Sequence, residues 1–183
     1  MGPLERIAGR FRIINVDADP HVENFSLAEI AVLKAGGRNR VISYINVGAC
    51  ESFRDYFRRA PTGFVPCVAN RVAQRGQYAG YPDEIWMDPS DRNHQRLLIE
   101  HVAARLAARG IDGFFLDNLE IVEHEPGASS GHCDLRCQAG GLALVAGLRA
   151  AFPNHLIVMQ NATSEVTRLG RVGGRRFPPS STV

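Results

Sequence analysis

The chain has 183 residues, 45% hydrophobic and 22% charged, a composition that reads as one soluble globular unit long enough to bury a sizeable core. A formal net charge of +2 argues against a polyanion specialist, and no apolar run approaches the length of a membrane span. The first residues, Met-Gly-Pro-Leu-Glu-Arg, contain no apolar stretch of the kind a signal peptide carries.

Phe11 to Val16 is apolar and β-branched, reads as a first strand, and stops at Asp17-Ala18-Asp19. Ser26 to Ala35 follows as a short helix, with Ser26 placed as an N-cap and Gly36-Gly37 as the stop. Arg40 to Val47 is the second strand, ending at Gly48, and Ser52 to Arg59 has helical composition. The segment from Ala60 to Gly80, rich in Gly, Pro and Gln, reads as a long loop. Glu84 to Met87 is a third, short strand ending in Asp88-Pro89. Arg92 to Arg109 is the clearest helix, because Leu97, Leu98, Val102, Leu106 and Ala107 recur at the spacing of one buried face. Phe114, Phe115 and Leu116 make a fourth strand that ends directly on Asp117. Gln138 to Phe152 is a helix closed by Pro153-Asn154, and His155 to Met159 is a fifth strand opening into Gln160-Asn161.

Strand-like and helix-like segments alternate, which points to α/β architecture with parallel strands. Each strand ends in polar residues: Asp17 and Asp19, then Asn46 and Glu51, Asp88, Asp117 with Asn118, and Gln160 with Asn161. Polar ends recurring at the spacing of successive βα units bring these groups to one rim, where such folds place ligands and chemistry. A doubly wound sheet gathers ligands similarly, but no Gly-rich phosphate turn follows the first strand, so a barrel is favoured. Asp117 is the first candidate for a working acid, and it reads equally as a cap for the loop that follows.

The other rim residues also carry two readings. Tyr44 and Trp86 suit stacking on sugar faces, although Tyr44 lies mid-strand and reads as well as core. Asn46, Asn118, Gln160 and Asn161 both donate and accept, which suits sugar hydroxyls or loop backbone alike. Arg54 is placed to pair with Glu51 or a rim aspartate, which would help keep one acid ionised. Cys50, Cys67, Cys133 and Cys137 lack the spacing of a zinc ribbon or redox pair and read as free thiols or disulfides, with Cys133 and Cys137 close enough for a local bridge or, with His132 and His124, for a poor metal site as the minor reading. The histidines lack paired metal spacing and no Gly-x-Ser-x-Gly elbow occurs, so no cofactor is expected. A metal-dependent hydrolase using Asp17, Asp19 and Asp117 is the minor alternative. Arg168, Arg171, Arg175 and Arg176 lie in a glycine-rich stretch that reads as a solvated terminus rather than a nucleic-acid site.

Val41-Ile-Ser-Tyr-Ile-Asn-Val-Gly48 followed by Glu51-Ser-Phe-Arg54, then Trp86-Met-Asp88, then Gly110-Ile-Asp-Gly-Phe-Phe-Leu-Asp-Asn118, then Gln160-Asn161, resembles the endo-α-1,4-polygalactosaminidase family of TIM-barrel glycoside hydrolases. The motifs run in the family's order and cover the chain from Phe11 to Glu165. The resemblance implies a (β/α)8 barrel, of which about the first five β/α units are present. It implies hydrolysis of a galactosamine-containing polysaccharide with Asp117 in the active site, and a secreted or extracellular setting.

Glycosidases of the usual kind need two carboxyl groups, about 5 to 5.5 Å apart for retention or roughly 6.5 to 9.5 Å for inversion. The family's second acid is expected on the strand-six side, and past Gln160-Asn161 no sixth βα unit is recognisable. Glu165 is the best remaining partner, with an ordinary helix-start glutamate as its other reading; Glu120 and Asp88 are further candidates. The domain reading is a partial barrel over 1–167 and an irregular Arg/Gly/Pro-rich tail over 168–183, as in a truncated or frameshifted product or a fragment of a larger reading frame. Such a barrel leaves open edges at Phe11 to Val16 and His155 to Met159, which favour self-association. The competing reading is a catalytically inactive, carbohydrate-binding or vestigial barrel.

Overall fold

Along the chain, helix α1 (Pro3–Arg10) leads into β1 (Ile13–Val16), and α2 (Leu27–Lys34) into β2 (Arg40–Asn46). An excursion follows through β3 (Ala49–Glu51), α3 (Asp55–Arg58) and the hairpin β4 (Gln74–Gln77) and β5 (Glu84–Met87). A long helix, α4 (92–107), returns to β6 (Gly113–Asp117), and α5 (Leu135–Ala151) to β7 (Leu156–Met159). Helix α6 (Glu165–Leu169) and the hairpin β8 (Arg171–Val172) and β9 (Arg175–Arg176) complete this computed structural model, which describes residues 2–161 and 163–177.

Local sequence accounts for these boundaries. Ser26 caps α2 in a reciprocal box: Glu29 N donates to Ser26 Oγ at 3.2 Å, and Ser26 N donates to Glu29 Oε2 at 2.7 Å. The helix stops where Ala35 and Gly36 turn left-handed. Asp91 caps α4 by accepting from His94 N, and the middle of that helix, Leu97–Ala103, widens to π-type turns. Asp134 caps α5 by accepting from Cys137 N, so this helix begins before the expected Gln138.

β1, β2, β6 and β7 pair in that order, all parallel, as an α/β barrel-type sheet requires. Among the described residues the parallel sheet therefore has four strands rather than five. Glu84–Met87 pairs antiparallel with β3 and β4 in a separate three-stranded sheet. Between β2 and β3 the chain has only Val47 and Gly48, and β2 lies directly against β6 from Ile42↔Gly113 to Asn46↔Asp117, which leaves no lane for another strand. A β-carbon on Gly48 would overlap the carbonyl of Asn118, so only glycine lets the chain leave β2 this close to β6. The supposed loop from Ala60 to Gly80 contains β4 for the same reason, since β5 needs a hairpin partner.

Alternation along the strands separates two faces. Val41, Ser43, Ile45, Phe114 and Leu116 are buried toward the helices, where Phe114 meets Phe152 edge-on at 5.1 Å. Each large apolar side chain buried there contributes roughly 1.5 to 3 kcal/mol. The other face carries Ile13, Asn15, Tyr44, Phe115 and Val158, all exposed or half-buried. At the amino ends of the strands Asp112 binds Lys34 at 3.0 Å and accepts from Val41 N at 2.9 Å.

Cys50 is joined to Cys67 and Cys133 to Cys137. The stretch read as an irregular tail is ordered as far as it is described: β8 and β9 form an antiparallel hairpin, and Phe177, fully buried, donates its N–H to Gly170 O. The apolar surface of α5 supplies the reason, since Leu142 meets Gly170 closely enough to exclude a β-carbon. Residues 178–183 of that stretch lie outside the described residues.

Replacing both Cys50 and Cys67 with alanine frees the excursion between β3 and β4. The variant is expected to lose about 3 kcal/mol of stability, measured by urea unfolding under oxidising conditions.

Candidate active site

The carboxyl ends of β2 and β6 meet in register at Asn46 and Asp117, and Val47 N donates to the Asp117 carbonyl at 3.0 Å. Asn118 follows in the left-handed region, φ 60°, which asparagine tolerates better than most residues. Its side-chain amide donates to Glu84 Oε2 at 2.8 Å, and the Asn46 amide donates to the same oxygen at 3.0 Å. The Asn46 oxygen accepts from Ala49 N at 2.8 Å. Asp117, Glu84 and Glu120 thus share one neighbourhood at the end of the parallel sheet. Burial pushes the Glu84 and Glu120 carboxyls above their ordinary range, and the charge of Asp117 pushes both further the same way. Among the described residues no arginine or lysine makes an ion pair with any of the three. One oxygen of Glu120 is buried without a hydrogen-bond partner, and the other lies 3.5 Å from the Tyr78 hydroxyl.

A second acidic group beside this one is neutralised. Arg54 binds Glu51 at 2.7 Å, Asp17 at 3.0 Å and Asp19 at 3.4 Å, while Arg105 binds Asp19 at 2.6 Å and Asp55 at 2.8 Å. Burial alone would lower the pKa of Arg54, but hydrogen bonding to Asp17 and the charge of Glu51 raise it above the ordinary value. Burial raises Glu51, against the opposing pull of Arg54 and of Tyr44, whose hydroxyl donates to Glu51 at 3.0 Å. Burial, followed by the charges of Glu51 and Asp117, raises the Tyr44 phenol, which therefore stays protonated. Tyr44 stands between the neutralised group and the unneutralised one.

The rim expected from sequence is thus divided. Asp17, Asp19, Glu51 and Arg54 form the ion network, with Asp19, Glu51 and Arg54 buried within it. Asn46 and Asn118 are buried and bind Glu84. Trp86 does not offer its face to a sugar: it is 4% exposed, stacked under Tyr78 at 4.1 Å and met edge-on by His124 at 4.9 Å. The outward ring is Tyr81, 54% exposed and 4.6 Å from Tyr78. Asp88 is buried, pairs with Arg75 and accepts from Ser90 N, so it holds the hairpin. Gln160 donates its backbone N–H to Leu116 O, extending the β6 and β7 ladder, and Asn161 is exposed with φ 65°. Glu165 opens α6 after its cap Ser164 and lines a shallow depression with Leu135, Gln138, Ala139 and Leu142 of α5. Among the described residues no cluster of His, Cys, Asp or Glu could hold a metal ion.

Sequence reasoning passed over Glu84, Tyr78 and Arg105. The signal for Glu84 was its place at the start of the expected strand Glu84 to Met87, two residues before the Trp86-Met-Asp88 motif. Arg105 carries no such signal, because it reaches the rim from the last turn of a helix, where a basic residue is ordinary.

Arg54→Met leaves buried carboxylates without their cation and should cost about 3 to 5 kcal/mol in urea unfolding at neutral pH. The raised carboxyls Glu84, Glu51 and Glu120 bind protons more readily folded than unfolded. Their cost is therefore present above their folded pKa values and is relieved as pH falls toward 4.5, the ordinary value. Stability should rise on acidification in that window, and Glu84→Gln should flatten the rise while increasing stability at pH 7. Urea midpoints collected across the window check both.

Residues 4–169 match glycoside-hydrolase family GH114. Among solved structures, the chain is similar to the glycoside hydrolase domain of PelA from Pseudomonas aeruginosa, with TM-score 0.66 and 16% identity over 88% of this chain and 56% of that one. It is also similar to Aspergillus fumigatus Ega3 in complex with galactosamine, with TM-score 0.62 and 21% identity over 82% of this chain and 53% of that one. A more distant likeness is TtGalA, an alpha-galactosidase from Thermus thermophilus, with TM-score 0.59 and 13% identity over 94% of this chain and 37% of that one. The chain spans about half the length of the first two, and the shared fold with all three is that of a partial α/β barrel. No match was found among curated proteins. With the family match running through β1, β2, β6 and β7 and both carboxylate groups, the chain belongs to glycoside-hydrolase family GH114.

Proposed function

We propose that this chain cleaves glycosidic bonds in a galactosamine-containing polysaccharide, with Asp117 as the working carboxylate. The observation that carries the reading is an acid at the carboxyl end of a parallel barrel strand in a GH114 chain, set among carboxyls that no cation neutralises. An amino sugar brings an ammonium group, and the group of carboxyls beside Tyr78 and Tyr81 supplies both charge and an aromatic face for it. The galactosamine bound in Ega3 supports this substrate class.

Cleavage requires one carboxyl to protonate the leaving oxygen while another attacks or activates water. Glu120 suits the protonated role, because burial and the nearby charge of Asp117 raise its pKa and one oxygen is free. Tyr78 beside it is itself pushed up to about 12, by burial first and then by Glu120, so it remains a hydrogen-bond donor. Glu165, the first residue of α6, is the alternative partner. The two disulfides suit an oxidising compartment, in keeping with an extracellular polymer as substrate. The outer edges of β1 and β7, unpaired among the described residues, support self-association.

Release of reducing ends from a galactosamine polymer tests the activity. Asp117→Asn is expected to lower kcat by about 100-fold or more, and Glu120→Gln by a similar factor. Activity surviving Asp117→Asn would overturn the assignment, and a loss with Glu165→Gln but not Glu120→Gln would move the partner to Glu165. Polymer binding without any cleavage would favour a carbohydrate-binding barrel instead.

A further inference from the structure

We propose that Glu84 is a positioning residue for the Asp117 site: its Oε2 gathers the side-chain amides of Asn46 and Asn118 and so fixes the turn by which the chain leaves Asp117. The inference rests on the reading of Asp117 as the working carboxylate.

The link runs through atoms on both sides of the strand pair. Asn46 ends β2, donates to Glu84 and accepts from Ala49 N, so the Glu84 carboxylate holds the turn between β2 and β3. Asn118 follows β6, donates to the same oxygen, and presents its carbonyl to Gly48 and to Ile121 N. Both amides are buried, at 1% and 4% exposure, so neither has water as a ready substitute partner. Asn118 is held left-handed, a conformation that costs any residue but glycine and persists when its surroundings impose it. Glu84 is the group that imposes it from the side chain.

Stability alone does not explain a glutamate there. Glu84 lies directly opposite Glu51 in the β3 and β5 ladder, and like charges across a ladder oppose pairing. Arg54 is taken up by Glu51, Asp17 and Asp19 and forms no ion pair with Glu84. A neutral amide oxygen, with two lone pairs, can keep both bonds, but a carboxylate holds two amides at once more strongly because its hydrogen bonds are charge-assisted. A carboxylate kept at an energetic cost beside a working acid belongs to the site. The hydrogen-bonding and charge roles separate by substitution: Glu84→Gln keeps the acceptor and removes the charge, while Glu84→Ala removes both.

The test combines steady-state hydrolysis of a galactosamine polymer with amide NMR of the full chain. Glu84→Ala is expected to lower kcat roughly 10- to 100-fold through misplacement of Asp117, with KM within about threefold, and to move the Asn118 amide resonances. Glu84→Gln is expected to return those resonances to their wild-type positions and to recover most of kcat, while its pH–rate profile loses the inflection that Glu84 contributes. Should Glu84→Ala fail to fold, Asn118→Gly serves: glycine accepts the left-handed backbone, the amide link is lost, and kcat should fall comparably. Unchanged kcat in either Glu84→Ala or Asn118→Gly overturns the proposal. So does a Gln variant as impaired as the Ala variant despite wild-type Asn118 resonances, since Glu84 would then act through its charge. Failure of the wild-type chain to release reducing ends refutes the glycosidase reading instead, and the Asn118 resonances of the two Glu84 variants still decide whether the amide link sets the turn.

Discussion

The parallel pairing of β2 with β6 is the constraint on which the remaining structure depends. It brings Asn46 level with Asp117, aims Val47 N at the Asp117 carbonyl, and forces the chain through Gly48 with no room for a side chain. Once that joint is made, the excursion from β3 to β5 cannot enter the parallel sheet. It folds back over the strand ends instead, and so delivers Glu84, Tyr78 and Trp86 to the rim. The barrel-like frame and the contents of its mouth are consequences of one five-residue register.

Electrostatics divides that mouth into two parts with opposite logic. Asp17, Asp19, Glu51 and Asp55 surround two arginines and gain ionic hydrogen bonds that offset part of the cost of burial. Glu84, Asp117 and Glu120 have no such partner, and burial penalises the charge of Glu84 and Glu120. The first group holds β1, β3, α3 and α4 together. The second is maintained at a cost that the stability of the first offsets.

Much of the frame was legible because it rests on local patterns. Ser26 with Glu29 announces α2, the apolar spacing from Leu97 to Leu106 announces α4, and the run from Phe114 to Leu116 ending on Asp117 announces β6. The third strand misled because Glu84–Met87 has strand composition whichever sheet it joins, and composition does not encode a partner. Trp86 misled similarly: an aromatic ring near a rim suits a sugar or a core, and only the stacking of Tyr78 over it decides. The site residues that sequence missed were those whose roles arise from contacts distant along the chain, such as Arg105 on Asp19 and Glu84 on Asn118.

The same register sets the order in which the molecule can assemble. β1 and β2 are separated by 23 residues and β6 and β7 by 38, against 66 between β2 and β6. Joining β2 to β6 closes the longest of the three loops, the one that carries the excursion and α4, so the largest closure entropy falls on that step. The chain should therefore fold as two βα pairs that dock late, with the mouth of the barrel created in the docking event. A rim assembled at the last seam to close is also the first to open when the protein is stressed, so the contacts around Asp117 should loosen before helical structure is lost.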